Sequence, residues 1–495
     1  MTKKIDPEAA RQHEQYIAHL HENPAIAFHN ETRYVIMVIS IVCLAWLMGN
    51  SLILNFTIIC MTDDEHHFTN NTQSASSQIR AGALYHYTNS EKAWLFAAVA
   101  IGTIAGTYPV IVLETAMSVR NVFTLFGALS GISTLLVPLS AFIGFWCLFL
   151  MRFLQGFALA ISYPVLGAIV TNWSSLKQSG MYTAWMSCNL QFGAMFTLPT
   201  SGAFCVSSFG WEGVYYVQGT LTLISYLIFY LLFRDSPRIH GFVSAKELKI
   251  IEEGKTAIRE KKVEPVPYAA IFKSLPIWGV WICCVGATFG YQIFVQYGPI
   301  YLNKVLNYEI TNTGFMTAFP NLVSCFAKIL GGPISDMATC VSAKNRVKIF
   351  TIISQGTMAL SFVCLALVPP SMVLLAQVAY TAAVAFSGLM WVGPVKSAAL
   401  VARQHSHFIF AVMSFINSAV ILILPPFVNT LAPNNTSQQW AVILYSICGS
   451  VVVCTAMFAF VGEAEPAWWT EPDAKHHHAH HRNAVHEQVG SGAPC

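Results

Sequence analysis

Three cations enter otherwise apolar stretches of this chain: Arg152 near the start of MRFLQGFALAISYPVLGAIVTNW, Lys328, and Lys396. The Arg152 stretch contains no acidic residue. Placing such a charge in a bilayer costs about 2.5–3.5 kcal/mol even on the lenient insertion scale, so each must face a wet cavity, a polar partner or an interface. A guanidinium or ammonium that faces a cavity matches a carboxylate or phosphate on a bound solute. That chemistry makes Arg152, Lys328 and Lys396 candidates for holding a small anion. The alternatives are structural: Arg152 can bond backbone carbonyls freed by Pro109 or hydroxyls on the first helix, and the two lysines can snorkel to the nearer surface.

A second constellation is uncharged. Tyr291, Gln292 and Gln296 recur at spacings of four and five, which places them near one face of a helix. An unpaired polar side chain in lipid is costly, so this face lines a cavity or bonds a neighbouring helix. Asn321, after Pro320, and Asn417 allow the same two readings.

The elements that position these residues follow from composition. The 495 residues are 55% hydrophobic and 10% charged, with a mean hydropathy of +0.54. Those values belong to an integral membrane protein. A net charge of +3 is too small to point to nucleic acid. The thirteen cysteines are scattered, mostly in apolar runs, with no spacing that suggests a disulfide framework or a zinc site. They read as small hydrophobic residues.

A bilayer core takes about 20 apolar residues per helix. Runs of that kind lie near 35–60, 93–114, 122–140, 145–170, 182–206, 213–233, 277–300, 313–333, 347–368, 372–396, 408–430 and 440–462. The expected architecture is all-α: twelve transmembrane helices in two pseudo-symmetric six-helix halves, residues 35–233 and 277–462. A cytoplasmic segment 1–34, a central loop 234–276 and a disordered His-rich tail 463–495 complete it, with a short surface helix expected near 244–262. Lys3, Lys4, Arg11 and Arg33 precede the first run, and the loops after even-numbered runs carry most of the remaining arginine and lysine. Both termini are therefore expected in the cytoplasm. The glycosylation acceptors Asn70 and Asn434 fall in loops on the opposite side, which agrees.

Several motifs carry a resemblance. Arg152-Phe153-Leu154-Gln155-Gly156 resembles the fourth-helix motif of the major facilitator superfamily. Gly331-Gly332-Pro333-Ile334-Ser335-Asp336, followed by Asn345-Arg346, resembles its loop motif between helices eight and nine. Ser162-Tyr163-Pro164, Trp173, Gly210-Trp211-Glu212-Gly213-Val214-Tyr215-Tyr216-Val217, Gly219, Asp235-Ser236-Pro237 and the stretch 248–254 look like the anion:cation symporter branch. That branch includes sialin, the vesicular glutamate transporters and the sodium-phosphate cotransporter-like proteins. The similarity runs from the first span to the twelfth. It implies the major facilitator fold and alternating access for organic or inorganic anions. In the loop motif Gly331 and Gly332 allow close helix approach. Asp336 can bridge to Arg346 as a latch that forms when the cytoplasmic side shuts.

The chain departs from that branch at four places. Ile53, Leu159, Gly167 and Ala287 stand where relatives have an arginine, a glutamate, a histidine and an arginine. Of the acidic residues only Glu114 and Asp336 lie in or at the end of a span, both at cytoplasmic ends, and no histidine falls in a span interior. A proton relay normally needs a titratable group there, so proton symport through a buried carboxylate is disfavoured. Sodium, which carbonyls and hydroxyls can hold, is the possible coupling ion.

The expected function is secondary transport of a small organic anion or inorganic phosphate by a monomer in the lipid bilayer of the plasma membrane or an endolysosomal or vesicular compartment. A transport-deficient receptor or scaffold and a facilitator of a neutral solute are the rivals. No enzymatic motif, nucleotide-binding domain, cofactor site or metal site is expected, and the histidines at 476–481 read as part of the tail.

Overall fold

The computed structural model describes residues 31–61, 85–175, 179–253, 266–337, 341–369, 372–391 and 393–470. Asn70, Lys3, Lys4, Arg11 and the histidines at 476–481 lie outside the described residues, as do the side chains of Glu114 and Asp336.

Capping chemistry sets several helix starts. Thr88 and Glu91 form a reciprocal capping box before the helix Asn89–Ala116, and Thr436 and Gln439 do the same before the helix Ser437–Val461. The first half comprises α1 (Thr32–Met61), α2 (Asn89–Ala116), α3 (Val119–Leu135, continuing past a 49° bend as Val137–Ile143), α4 (Phe145–Leu159 and Ser162–Trp173), α5 (Ser179–Ser187 and Asn189–Val206) and α6 (Glu212–Leu232). The second comprises α7 (Leu275–Ile300), α8 (Ile310–Met337), α9 (Ala343–Leu367), α10 (Val373–Ser387 and Pro394–Ala402), α11 (Ser406–Leu431) and α12 (Ser437–Val461). Gly144, at φ 141°, makes the corner between α3 and α4, a backbone state that side chains other than glycine rarely adopt. Among the described residues nine of these segments are long and apolar enough to cross a bilayer, and the bent α3 makes a tenth. The other two, α5 and α8, pack against each other across the two halves.

The apolar cores divide by depth. At the end of the bundle where α1 finishes, one core joins both halves: Leu52 and Phe56 of α1, Ala194 and Leu198 of α5, Phe294 and Tyr297 of α7, and Ile443 of α12 all belong to it. At the end where α1 begins there are two cores. One is built from the first half, with Ile36, Phe126, Trp173 and Phe229, and takes in Val243 of the loop behind it. The other is built from the second half, with Trp281, Val401, Ile409 and Phe458, and takes in the flanking Ile271 and Trp469. The halves share a core at one end and keep separate cores at the other, and the space between the two separate cores, where α1 begins, is the cleft.

The central loop does not simply bridge the halves. Its first part folds onto the first half through a short helix, Ala245–Glu252, inside the stretch where the sequence predicts a surface helix. Glu247 is fully buried, and its Oε1 accepts from the Arg33 backbone N–H at 2.8 Å, capping the start of α1. Thr32 Oγ1 donates to Phe242 O at 2.9 Å, and Asp235 Oδ1 accepts from Arg120 N at 3.0 Å.

One expectation about the cysteines needs correction. Cys60 and Cys205 form a disulfide between the ends of α1 and α5, beside the shared core. The two positions are 145 residues apart in sequence, so no local spacing could announce the pair. The other described cysteines are free, and Cys43, Cys188, Cys283, Cys284 and Cys325 are buried.

Candidate functional site

Arg152 is 1% exposed and bonded within the first half. Its Nη1 donates to Ser51 O of α1 at 3.0 Å and to Gln155 Oε1 at 2.8 Å, and its Nε donates to Leu95 O of α2 at 3.4 Å. Gln155 Nε2 passes the connection to Thr134 Oγ1 of α3 at 2.9 Å. The guanidinium thus ties α4 to three neighbours, using carbonyls other than the one opposite Pro109. Close approach of α2 and α4 permits this. A Cβ on Gly102 would stand 2.1 Å from Phe153 O, and one on Gly156 would stand 2.0 Å from Val99 O.

Residues of α1, α5, α7, α8 and α10 meet at a waist between the halves. A small cavity there, with room for about one water, is lined by Leu52, Tyr291, Phe294, Thr317, Asn321 and Tyr380 among others. Tyr163, at the second start of α4, is 43% exposed and lies on the side of the first half that faces Cys284 and Tyr291 of α7. Nothing lies within 4 Å of where a Gly167 Cβ would project, one turn further along α4.

Two of the sequence-predicted polar residues meet the waist directly: Tyr291 and Asn321. Asn321 Nδ2 donates to Thr317 O at 3.0 Å, while its buried Oδ1 has no hydrogen-bond partner among the described residues. The Ser324 hydroxyl, one turn along, is in the same condition. Gln296 keeps both amide atoms buried without a hydrogen-bond partner among the described residues. Gln292 turns towards α11 instead, where its Nε2 donates to Asn417 Oδ1 at 2.9 Å.

Lys328 occupies the seam between the halves. Its Nζ donates to Gln191 Oε1 at 3.1 Å and to Ser187 O at 3.3 Å, both on α5, and the residue is 5% exposed. The break in α10 makes room for it: a Cβ on Gly388 would come within 2.6 Å of Ser324 Oγ and 3.3 Å of Lys328 Cγ. Asn321, Ser324 and Lys328 lie at helical spacing, forming a stripe that leads from the waist into the seam.

The remaining candidates lie apart from this stripe. Lys396 is half-buried in the second segment of α10. Gly331 and Gly332 belong to α8, and Arg346 sits in the first turn of α9 with its Nε buried and without a hydrogen-bond partner among the described residues. Asn434 is exposed in the turn before α12.

Some residues at the waist and in the first half are not singled out from sequence. Thr317 and Tyr380 line the cavity, and Gln191 answers Lys328. Asn50 centres a buried network, donating to Ser130 Oγ at 2.9 Å and Thr222 Oγ1 at 3.1 Å and accepting from Gln218 Nε2 at 3.3 Å. Gln218 and Thr222, four apart on α6, are the one periodic trace of it in the sequence.

Comparison with known proteins agrees with this architecture. Residues 35–425 match the family model of the Major Facilitator Superfamily, and the chain belongs to that family. It is similar to vesicular glutamate transporter 1 of Bos taurus, 24% identical over 360 residues that make up 70% of this chain and 63% of that protein. Vesicular glutamate transporter 2 of Homo sapiens is 23% identical over 370 residues, 73% of this chain and 63% of that one. The chain therefore spans less than two thirds of the length of these relatives. Among solved structures, the inward-open xylose transporter XylE of E. coli shares the fold with a TM-score of 0.62 at 14% identity, covering 87% of this chain and 97% of that one. A bacterial homologue of the human lysosomal transporter Spinster, inward-facing and occupied, has a TM-score of 0.61 at 13% identity, with coverage of 87% and 96%.

Proposed function

We propose that this chain is a secondary transporter that moves a small organic anion by alternating access between its two halves. The observation that carries the reading is the divided core. Two bodies share apolar packing at one end and keep complete, separate cores at the other, so one end can stand open without exposing either interior. The waist supplies a binding place on the path between the ends. Tyr163, Tyr291, Phe294 and Tyr380 favour a solute with an organic body over bare phosphate. Lys328 is the counter-charge, reached along Asn321 and Ser324, and a bound carboxylate would replace the neutral acceptors it now uses on α5. Arg152, already committed to three acceptors, holds the first half together.

Coupling runs through sodium or the membrane potential. Glu114 and Asp336 stand in the last turns of α2 and α8, away from the waist, which leaves no carboxylate at mid-depth among the described residues to carry a proton. With the arginine-rich and lysine-rich side as cytoplasm, both termini are cytoplasmic and the cleft faces inward. The protein works as a monomer in the plasma membrane or an endolysosomal or vesicular membrane.

The test is uptake of labelled glutamate, sialate, urate and phosphate into proteoliposomes, with proton, sodium and potential gradients imposed one at a time. Expected is uptake of an organic anion that follows sodium or potential and falls at least about tenfold, worth about 1.4 kcal/mol, in Lys328→Gln. Absence of anion uptake under every gradient, from protein that remains monodisperse, would reject the transport reading in favour of a receptor or neutral-solute facilitator.

A further inference from the structure

Cys188 and Cys325 lie on α5 and α8, in opposite halves, and both are free and buried. The lysine contact places them opposite each other. Lys328 Nζ reaches Ser187 O, the residue directly before Cys188, and Gln191 Oε1, three positions after it. Cys325 precedes Lys328 by three positions, about one turn along the same face of α8. The two side chains are neighbours across the seam, with Lys328 beside both. The thiolate is the nucleophilic form of a thiol. Among the described residues the other buried thiols lack this arrangement: Cys283 and Cys284 are sequence neighbours on one helix, and Cys43 donates to Ser225 O within its own half.

We propose that Cys188 and Cys325 form an oxidant-sensitive pair which a peroxide converts to a disulfide, tying the two halves together with the cleft open. The Cys325 thiolate attacks one oxygen of hydrogen peroxide, the O–O bond breaks, and the departing hydroxide takes up a proton as water. Cys325 is then a sulfenic acid. The Cys188 sulfur, giving up its proton, attacks the Cys325 sulfur. The S–S bond forms, the S–O bond breaks, and a second water leaves. Two thiols lose two electrons in all, and one peroxide becomes two waters.

Its position lets this bond act on the whole molecule. Near the shared core α5 and α8 already touch backbone to backbone, where a Cβ on Gly314 would stand 2.8 Å from Leu198 O. A covalent tie further along the same seam, beside Lys328, fixes the helix spacing on the open side as well. The chemical step stands independently of the transport reading, while its effect on uptake rests on it.

The experiment treats the reconstituted full-length protein with hydrogen peroxide, blocks remaining thiols, and maps disulfides by mass spectrometry of unreduced digests. Expected is a linked peptide joining Cys188 to Cys325, removed by dithiothreitol and absent from Cys188→Ser and from Cys325→Ala. Uptake should fall at least about tenfold on oxidation, return on reduction, and stay unaffected by peroxide in both variants. Failure to find the linked peptide under conditions that oxidise other thiols overturns the pair. A linked peptide with unchanged uptake overturns the tie. Absence of uptake even in untreated protein speaks against transport alone, and the peptide map then decides the pair by itself.

Discussion

Lys328 of α8 donates to the side-chain oxygen of Gln191 on α5 at 3.1 Å, a hydrogen bond that crosses from one half of the molecule to the other. Both residues are buried, and they sit on the two segments that fall outside the ten most apolar spans. Polar residues in these two helices face each other and so avoid lipid.

That pairing predicts the effect of removing its neutral member. Gln191→Leu takes an acceptor from a buried ammonium and should destabilise the folded protein by about 1–3 kcal/mol. Thermal unfolding of purified protein in detergent reads this directly, with Gln191→Glu as the comparison that restores an acceptor. An unfolding midpoint unchanged in Gln191→Leu would show that the contact contributes nothing.

Arg152 is expected to behave as a structural residue. Arg152→Ala leaves Ser51 O, Leu95 O and Gln155 Oε1 without their donor, at about 1–3 kcal/mol for each acceptor that stays unsatisfied. Arg152→Lys should recover only part of the loss, because a single ammonium does not reproduce the planar fork that meets acceptors from three helices. The measurement is the yield of monodisperse protein and its unfolding midpoint. Full stability in Arg152→Ala combined with lost uptake would instead return this arginine to the substrate.

Two glycines on α4 should give opposite results. Gly156→Ala drives a methyl group against Val99 O and must push α2 and α4 apart, so loss of folded protein is expected. Gly167→Ala meets open space and should leave stability within about 0.5 kcal/mol. Expressing the two side by side and comparing their size-exclusion profiles settles the matter, and equal behaviour would mean that the helix crossing is misplaced.

The Cys60–Cys205 disulfide gives a prediction about sidedness as well as stability. Reduction, or Cys60→Ser with Cys205→Ser, should lower stability by about 2–4 kcal/mol. In oriented membranes an impermeant phosphine should reach the bond only from the non-cytoplasmic side, where the inferred topology puts the end of α1. Reduction from the cytoplasmic side alone would reverse the topology inferred from arginine and lysine.

Much of this was legible in the chain. Residues 182–206 and 313–333 stand out as spans even though they form the two most polar crossings, because Leu198, Phe204, Leu322 and Ile329 keep their average hydropathy up. Tyr291 and Asn321 could be named as cavity residues because polar side chains at helical spacing in an apolar run have few other uses. The destination of Arg152 was open, since nothing local distinguishes a cavity from the Ser51 and Leu95 carbonyls, which lie about 100 and 57 residues away. Gln191, Cys205 and Glu247 were invisible for the same reason: each has its meaning only beside a partner more than 100 positions distant. Resemblance to a family fixes the order of helices, but the partners of substituted positions such as Gly167 have to be read from packing.

The unequal division of the cores also sets a resting bias. Closing the cleft asks two finished interiors only to approach, whereas opening the opposite end would bring Leu52, Phe56, Phe294 and Tyr297 into contact with water, at about 25 cal/mol for each square ångström uncovered. Under the proposed alternating access, the empty protein is therefore expected to favour the conformer with the cleft exposed. A ligand can reverse that preference only by binding the other conformer more tightly by the same free energy, so the apparent affinity measured from the two sides of the membrane should differ by the corresponding factor.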